Sequence, residues 1–137
     1  MKTIIVETTV TASPEKVWDY WNSAQHISKW AFASDDWSAE PVKNDLREGG
    51  KFLTRMAAKD GSTGFDFSGT YTKVIPHETI AYTLDDGRVV TIDFKDEGHG
   101  DVHIVQEFEM ESQNSEEVQR GGWQAFLDNF KKHVEQN

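Results

Sequence analysis

The N-terminal segment combines a strand pattern with a helix start signal. Residues 2–11 are rich in Ile, Val and Thr, which favours a β-strand. Ser13-Pro14 then provides a helix N-cap followed by proline at the first helical position. Apolar residues follow at Val17, Trp18, Tyr20 and Trp21. We predict a short helix here and a second one over about Ser23–Trp30, capped by Ser23 or Asn22.

From Trp37 onward, apolar and polar residues alternate with a period of two, as in half-buried strands. Asp60-Gly61 and Asp86-Gly87 are turn dipeptides, Pro76-His77-Glu78 marks a corner, and residues 96–100 form a glycine-containing loop. The pattern predicts a meander of about six antiparallel strands. Its apolar face includes Phe52, Thr54, Met56, Phe65, Phe67, Gly69, Tyr71, Ile80, Tyr82, Leu84, Val90, Ile92, Phe94, Val102, Ile104, Gln106, Phe108 and Met110.

The last segment is predicted to form a long amphipathic helix. Ser115 is placed to cap it, and Glu116 and Glu117 suit its positive end. Apolar residues then recur at intervals of three to five, at Val118, Trp123, Phe126, Leu127, Phe130 and Val134. Because an apolar sheet face needs a cover, we expect this helix to lie across the sheet. The prediction is one α+β domain over residues 1–137.

Composition narrows the classes of partner. The formal net charge of -10 disfavours nucleic acid and anionic membranes, because phosphate binding needs clustered lysine and arginine. No apolar run approaches the roughly 18 residues of a membrane span, and the start turns polar by Glu7 instead of continuing as a signal peptide. The chain has no cysteine, which excludes disulfides and thiolate sites. We expect a cytoplasmic protein.

No motif identifies a catalytic or metal site. The five histidines lack the spacing of metal ligands, and no nucleophile elbow, phosphate loop or dinucleotide fingerprint occurs. We expect no metal and no cofactor, and a noncatalytic role is favoured over an enzyme. Gly121-Gly122 lies near the start of the long helix. Our interpretation is a close approach of helix and sheet, and the alternative is a widened pocket mouth.

Several polar side chains, including Thr54, Tyr82 and Gln106, fall on the inward face among apolar neighbours. Buried polar groups need hydrogen-bond partners, so these satisfy one another or reach a ligand or pocket water. With the inward aromatics they describe a mostly apolar cavity with a few orienting polar groups. The predicted lining residues are Trp30, Phe32, Trp37, Phe52, Thr54, Met56, Phe67, Tyr71, Tyr82, Ile92, Phe94, Ile104, Gln106, Phe108, Trp123 and Phe126.

The chain also resembles a known group of proteins over nearly its whole length. The matching segments are Ala12–Trp18, Ser28–Trp30, Asp45–Phe52, Met56 with Asp60-Gly61, Phe67–Tyr71, Asp86–Phe94 and Gly122-Trp123. In this order they resemble the START-type (SRPBCC, helix-grip) superfamily, in the branch of activator of heat-shock protein 90 ATPase homologues. The resemblance implies a curved antiparallel sheet of about six to seven strands around a long C-terminal helix, with two short helices after the first strand. It also implies that the functional site is a cavity under the long helix.

Three functions remain open. The first is noncatalytic binding of a small hydrophobic or aromatic molecule. The second is a chaperone-interaction or stress-response module that acts through its acidic surface. The third is an enzyme of the polyketide cyclase or aromatase type, which needs a carboxylate or histidine deep in the pocket. Either a monomer or a homodimer is expected, because exposed tryptophans such as Trp18 or Trp37 could seal a dimer.

Overall fold

A computed structural model describes residues 2–32 and 34–137, and within them the chain forms seven strands and three helices. Their order is β1 (Thr3–Thr11), α1 (Pro14–Asn22), α2 (Ala24–Trp30), β2 (Trp37–Asn44), β3 (Lys51–Ala58), β4 (Gly64–Ile75), β5 (Thr79–Leu84), β6 (Val89–Asp96), β7 (Asp101–Glu109) and α3 (Glu116–Gln136). The predicted α+β class, the two short early helices and the long final helix are confirmed.

All strands join one antiparallel sheet in the order β1-β7-β6-β5-β4-β3-β2. The strands from β2 to β7 form the predicted meander, and β1 closes the sheet by pairing with β7, so that Val6 lies opposite Gln106. Register shifts between Ala39 and Val42 in β2 and between Tyr71 and Lys73 in β4 interrupt the ladder. Such bulges bend and twist strands, which suits a sheet curved into a half-barrel.

The predicted helix starts are confirmed in atomic detail. The Ser13 hydroxyl accepts a hydrogen bond from the Lys16 backbone N–H at 3.2 Å, with Pro14 at the start of α1. The Ser115 hydroxyl accepts one from the Val118 N–H at 3.1 Å. Ser23 is the N-cap residue of α2, but its side chain makes no capping hydrogen bond.

Helix α3 carries apolar residues on two sides. Leu127, Phe130 and Val134 are spaced by three and four residues, lie along one side, and are completely buried. Val118, which the sequence pattern grouped with them, is instead 62% exposed. It is four residues from Gly122, and so lies along the second side of the helix. That second side faces the cavity described below.

Polar side chains of α3 hold the helix against the free edge of β1. The Lys131 ammonium group donates to the Thr9 carbonyl at 2.6 Å, and the Thr11 backbone N–H donates to the Glu135 carboxylate at 2.8 Å. An edge strand exposes unpaired backbone groups, and these contacts satisfy two of them. The position of the covering helix is therefore fixed by hydrogen bonds as well as by apolar burial.

A histidine pair joins the end of α3 to α2. His26 Nδ1 and His133 Nε2 are 3.0 Å apart, and the Tyr20 ring stacks on His26 at 3.7 Å between centroids. Burial lowers the pKa of His133, and the nearby charges of His26, Lys29 and Lys16 lower it further. His26 of α2 thus contacts a side chain of α3 at the helix junction.

Candidate functional site

A cavity of about 690 Å³ lies between the concave face of the sheet and the second side of α3. Small-molecule sites typically have volumes of about 300–1,000 Å³ and mostly apolar walls. The predicted residues that line this cavity are Trp30, Phe52, Thr54, Met56, Phe67, Tyr71, Tyr82, Gln106, Trp123 and Phe126. The inward face of β3 therefore forms one wall, and α3 covers it.

The remaining predicted residues lie behind or beside the cavity wall. Phe108 is completely buried and stacks face to face on Trp123, with ring centroids 4.0 Å apart and planes 9° apart. Ile92 and Ile104 are also completely buried in the core. Strand alternation identified these residues correctly as inward, but it does not distinguish the layer that touches the cavity from the layer beneath it. Phe94 shows the same limit, since it packs edge-on against Trp21 at 5.6 Å.

Two predicted residues from the segment after α2 also lie outside the cavity. Trp37 packs against Phe65, with ring centroids 6.1 Å apart, at the end of the β3–β4 hairpin. Phe32 is half-buried, and its backbone carbonyl accepts a hydrogen bond from the Asn129 side chain of α3. Both side chains pack between elements, and no periodic pattern indicates the direction of the chain after α2.

An aromatic cluster closes one end of the cavity. Trp30 of α2 lies 4.8 Å from Trp21 of α1 and 4.9 Å from Phe130 of α3 between ring centroids. The Trp30 indole N–H donates to the Tyr20 carbonyl at 3.0 Å, so its buried polar atom has a partner. All three helices thus meet around Trp30, and this fixes one boundary of the empty space.

Gly69 allows the opposite wall to form. Phe52 contacts Tyr82 edge-on at 4.8 Å and Tyr71 at 5.2 Å between ring centroids. A Cβ on Gly69 would lie 3.0 Å from the end of the Phe52 ring and 2.5 Å from the Thr83 carbonyl oxygen. The ring can occupy its place only because residue 69 has no side chain. The close approach at Gly69 is therefore between neighbouring strands.

The glycine pair of α3 does not make the close approach of helix and sheet that we expected. A Cβ added to Gly121 or Gly122 would have no atom within 4 Å, so neither glycine is needed for close packing. Gly122 lies on the second side of α3 and lines the cavity, whereas Gly121 is exposed and does not. The alternative interpretation, in which a glycine widens the pocket mouth, fits Gly122.

The two tyrosines that line the cavity are hydrogen-bonded and neutral. The Tyr71 hydroxyl donates to the Asn44 side chain, whose Nδ2 donates in turn to the Asn22 carbonyl at 2.7 Å. Burial raises the pKa of Tyr71 and of Tyr82 well above the ordinary tyrosine value, although their hydrogen bonds to Asn44 and Gln106 act in the opposite direction. Both tyrosines therefore stay protonated at neutral pH, where they can donate a hydrogen bond but cannot act as bases.

The other end of the cavity is polar, and none of its residues is among the predicted lining residues. This polar end is formed by Arg88, Glu111, Gln113, Asn114 and Gln119. Gln119 is buried and bridges the loop between β7 and α3, because its Nε2 donates to the Glu111 and Asn114 carbonyls at 3.0 and 2.8 Å. One signal was available: Arg88 is two residues before Val90 and so shares the inward parity of β6. The loop residues have no comparable periodicity.

Among the described residues, neither a metal-binding cluster nor a membrane-spanning helix is found. Within residues 2–32 and 34–137, no group of three or more His, Asp or Glu side chains could hold a metal ion. In the same part of the chain, no helix combines the length and the apolarity that crossing a membrane requires.

The sequence matches a family profile over residues 11–135, described as Activator of Hsp90 ATPase homolog 1-like protein. The chain belongs to this family. The family prediction is therefore confirmed, and the fold agrees with the helix-grip superfamily.

Solved structures of relatives give the same result. An AHSA1-like protein from Aeromonas hydrophila is 40% identical, with a TM-score of 0.92 over 98% of this chain and 93% of that chain. A protein from Cytophaga hutchinsonii is 49% identical, with a TM-score of 0.85 over 98% and 93% of the two chains. The Aha1 dimer from Colwellia psychrerythraea, 17% identical with a TM-score of 0.76 over 98% and 97%, shares the fold. No curated protein is significantly similar in sequence.

Proposed function

We propose that the protein binds a small hydrophobic or aromatic molecule in the cavity between the sheet and α3. The observation that carries the proposal is the empty volume of about 690 Å³, which the surrounding aromatic side chains do not fill. Protein interiors are normally close-packed, whereas this cleft leaves apolar side chains without the contacts that a compact core would make. A bound apolar molecule would restore those contacts.

The rim of the cavity supports access for an apolar ligand. Phe65 and Val118 both line the cavity, and they are 50% and 62% exposed. Exposed apolar residues that border a concave site are typical of ligand-binding or partner-binding surfaces. A hydrophobic molecule would therefore meet apolar side chains at the entrance before it reaches Phe52 and Trp123 inside.

Binding without catalysis is favoured by the titratable groups around the cavity. Tyr71 and Tyr82 stay protonated for the reason given above. The Glu111 carboxylate accepts hydrogen bonds from the backbone N–H groups of Gln113 at 3.2 Å and Asn114 at 2.8 Å, so it is engaged in its own loop. A cyclase-type enzyme needs a free acid or base near the substrate, and the described lining residues offer no such deep group.

The test uses a matched pair of glycine substitutions. Gly122→Leu would project a side chain into the cavity, whereas Gly121→Leu would place the same side chain in solvent. The probe is N-phenyl-1-naphthylamine, a neutral aromatic molecule whose fluorescence rises in apolar surroundings. We expect saturable binding to the wild type, binding weakened by at least about tenfold in Gly122→Leu, and unchanged binding in Gly121→Leu.

Equal affinity in the two variants would place the probe outside the cavity. Absence of saturable binding to the wild type, for this probe and for a panel of other aromatic and aliphatic molecules, would contradict the proposed function itself. Circular dichroism of both variants serves as the folding control, because the two substitutions differ only in the side of α3 on which they lie.

A second candidate is a protein-interaction module that contacts a chaperone and takes part in a stress response. The family description and the net charge of -10 favour it, since an acidic surface can pair with basic residues of a partner. Calorimetric titration with purified Hsp90-type chaperone would test it directly. A salt-sensitive complex supports this function, and no heat of binding at low salt contradicts it. The size of the free protein in solution would decide between a monomer and a homodimer.

A further inference from the structure

Arg88 is placed so that its charge reaches the cavity. It follows the turn at Asp86-Gly87 and precedes β6, and its side chain lines the cavity with only 17% of its surface exposed. Val90 and Ile92, which share its parity, are completely buried on the same face. The guanidinium therefore lies at the inner face of the sheet, although arginine side chains usually lie at the protein surface.

Most hydrogen-bonding capacity of this guanidinium is unused. Its Nε donates to the Asp86 carboxylate at 2.9 Å, and among the described residues neither Nη1 nor Nη2 has a hydrogen-bond partner. Arginine carries five N–H donors and keeps its positive charge at every physiological pH. Two nitrogens of a largely buried cation are thus available at the cavity, in a geometry that suits a planar carboxylate.

Two carboxylates lie near Arg88, and neither forms a hydrogen bond with Nη1 or Nη2 among the described residues. Glu111 also lies at the polar end, but no ion pair within 4.0 Å joins it to Arg88 among the described residues, and its carboxylate binds Gln113 and Asn114. Asp86 is 53% exposed, and its carboxylate accepts hydrogen bonds from the Nε atom and the backbone N–H of Arg88 but from neither Nη atom. Tyr82, close enough for Arg88 to lower its pKa, adds a neutral hydroxyl near the same end.

We infer that the cavity selects an amphipathic ligand, an aromatic or aliphatic acid, whose carboxylate binds Arg88 while its apolar body lies against Phe52, Phe67 and Trp123. This inference rests on the proposed function and specifies its ligand class. The overall negative charge of the protein repels anions at long range, so selection of an acid depends on this local cation. Lys43, which also lines the cavity, is exposed and solvated.

The experiment compares an acid with its neutral isostere. 2-Naphthoic acid and 2-naphthamide are titrated separately into wild-type protein, Arg88→Gln and Lys43→Gln, with tryptophan fluorescence as the readout and ionic strength held constant. We expect the wild type to bind the acid at least about tenfold more tightly than the amide. In Arg88→Gln this preference disappears while affinity for the amide stays within about twofold. Lys43→Gln keeps the wild-type preference.

Each of the other outcomes contradicts either the inference about the acid or the proposed function. Equal wild-type affinities for acid and amide, or a preference that survives Arg88→Gln, overturns the inference and leaves the proposed function standing. A preference lost equally in Lys43→Gln overturns it too, because the effect would then come from the general field. Arg88→Lys, which keeps the charge without the planar fork, is expected to lower the preference partly and serves if Arg88→Gln is unfolded. If neither molecule binds and N-phenyl-1-naphthylamine fails as well, the proposed function fails.

Discussion

The two glycines of α3 allow a quantitative test of how the covering helix relates to the cavity. Glycine in a helix interior is less favourable than alanine by about 0.8–1.0 kcal/mol. Neither Gly121 nor Gly122 has an atom within 4 Å of the position of an added Cβ, so alanine meets no steric opposition. We therefore expect Gly121→Ala and Gly122→Ala each to raise the free energy of unfolding by about 0.8 kcal/mol.

This change is large enough to measure by thermal unfolding. The entropy of unfolding is about 2.1 cal/mol/K per residue, which for 137 residues is about 0.3 kcal/mol/K. Each substitution should therefore raise Tm by about 3 °C, and the double variant by about 6 °C, because the two methyl groups point in different directions and do not touch. Urea unfolding should show a higher midpoint with an unchanged m-value.

Destabilisation by Gly122→Ala would contradict the open space beside this residue. It would mean that the helix approaches other atoms at this point and that the space beside Gly122 is occupied in solution. If both substitutions stabilise the protein, the glycine at position 122 is not explained by the fold. An open cavity mouth then gives a reason for it, whereas nothing in the structure explains Gly121.

Two further predictions concern packing and pH. Gly69→Ala should lower the free energy of unfolding by about 1–3 kcal/mol or more, because its methyl group would lie 2.5 Å from the Thr83 carbonyl oxygen. Urea unfolding measures this change, and an unchanged free energy of unfolding would contradict the close approach. The pKa of His133 is lowered in the folded state, so the unfolded chain binds a proton at this residue more readily. The contribution of His133 to stability should therefore be fully present above about pH 6.5 and should decrease as pH falls below it. In His133→Gln, which loses the contact with His26, the urea midpoint should change less between about pH 7.5 and 5, while exposed His99→Gln should keep the wild-type profile. An identical slope in His133→Gln would show that other groups set the pH dependence.

Local signals predicted the elements well. Ser13-Pro14 and Ser115 are direct stereochemical signals of helix starts, and both act as caps in the structure. The period of two located the strands because each strand has one buried and one exposed face. The alternation at Phe52, Thr54 and Met56 is reproduced residue by residue in their burial.

The boundary of the cavity was harder to predict because it depends on how far apart the sheet and helix stand. Phe108 and Trp123 both have inward periodicity, yet Phe108 stacks behind Trp123 and only Trp123 touches the empty space. Val118 belongs to a second side of α3, and a pattern read as a single apolar stripe does not separate the two sides. The periodicity of apolar residues identifies the buried face of an element, whereas tertiary packing determines which residues of that face touch the cavity.

The polar end was missed for a different reason. Arg88 has inward parity, but a charged residue next to an Asp-Gly turn is usually solvated, so its position alone did not suggest the cavity. Glu111 and Asn114 belong to the loop between β7 and α3, whose conformation depends on hydrogen bonds between these two residues and from the Gln119 side chain to their carbonyls. No periodic pattern encodes such a loop.

Binding inside the cavity is tested most directly by locating the bound molecule by NMR in protein saturated with 2-naphthoic acid. Met56 lines the cavity at only 4% exposure, so its methyl group reports on the interior. We expect intermolecular NOEs from the naphthalene protons to the Met56 methyl group and to the Trp123 indole. NOEs or shift changes confined to Ile5 and Val89, which are exposed and outside the cavity, would contradict binding inside the cavity.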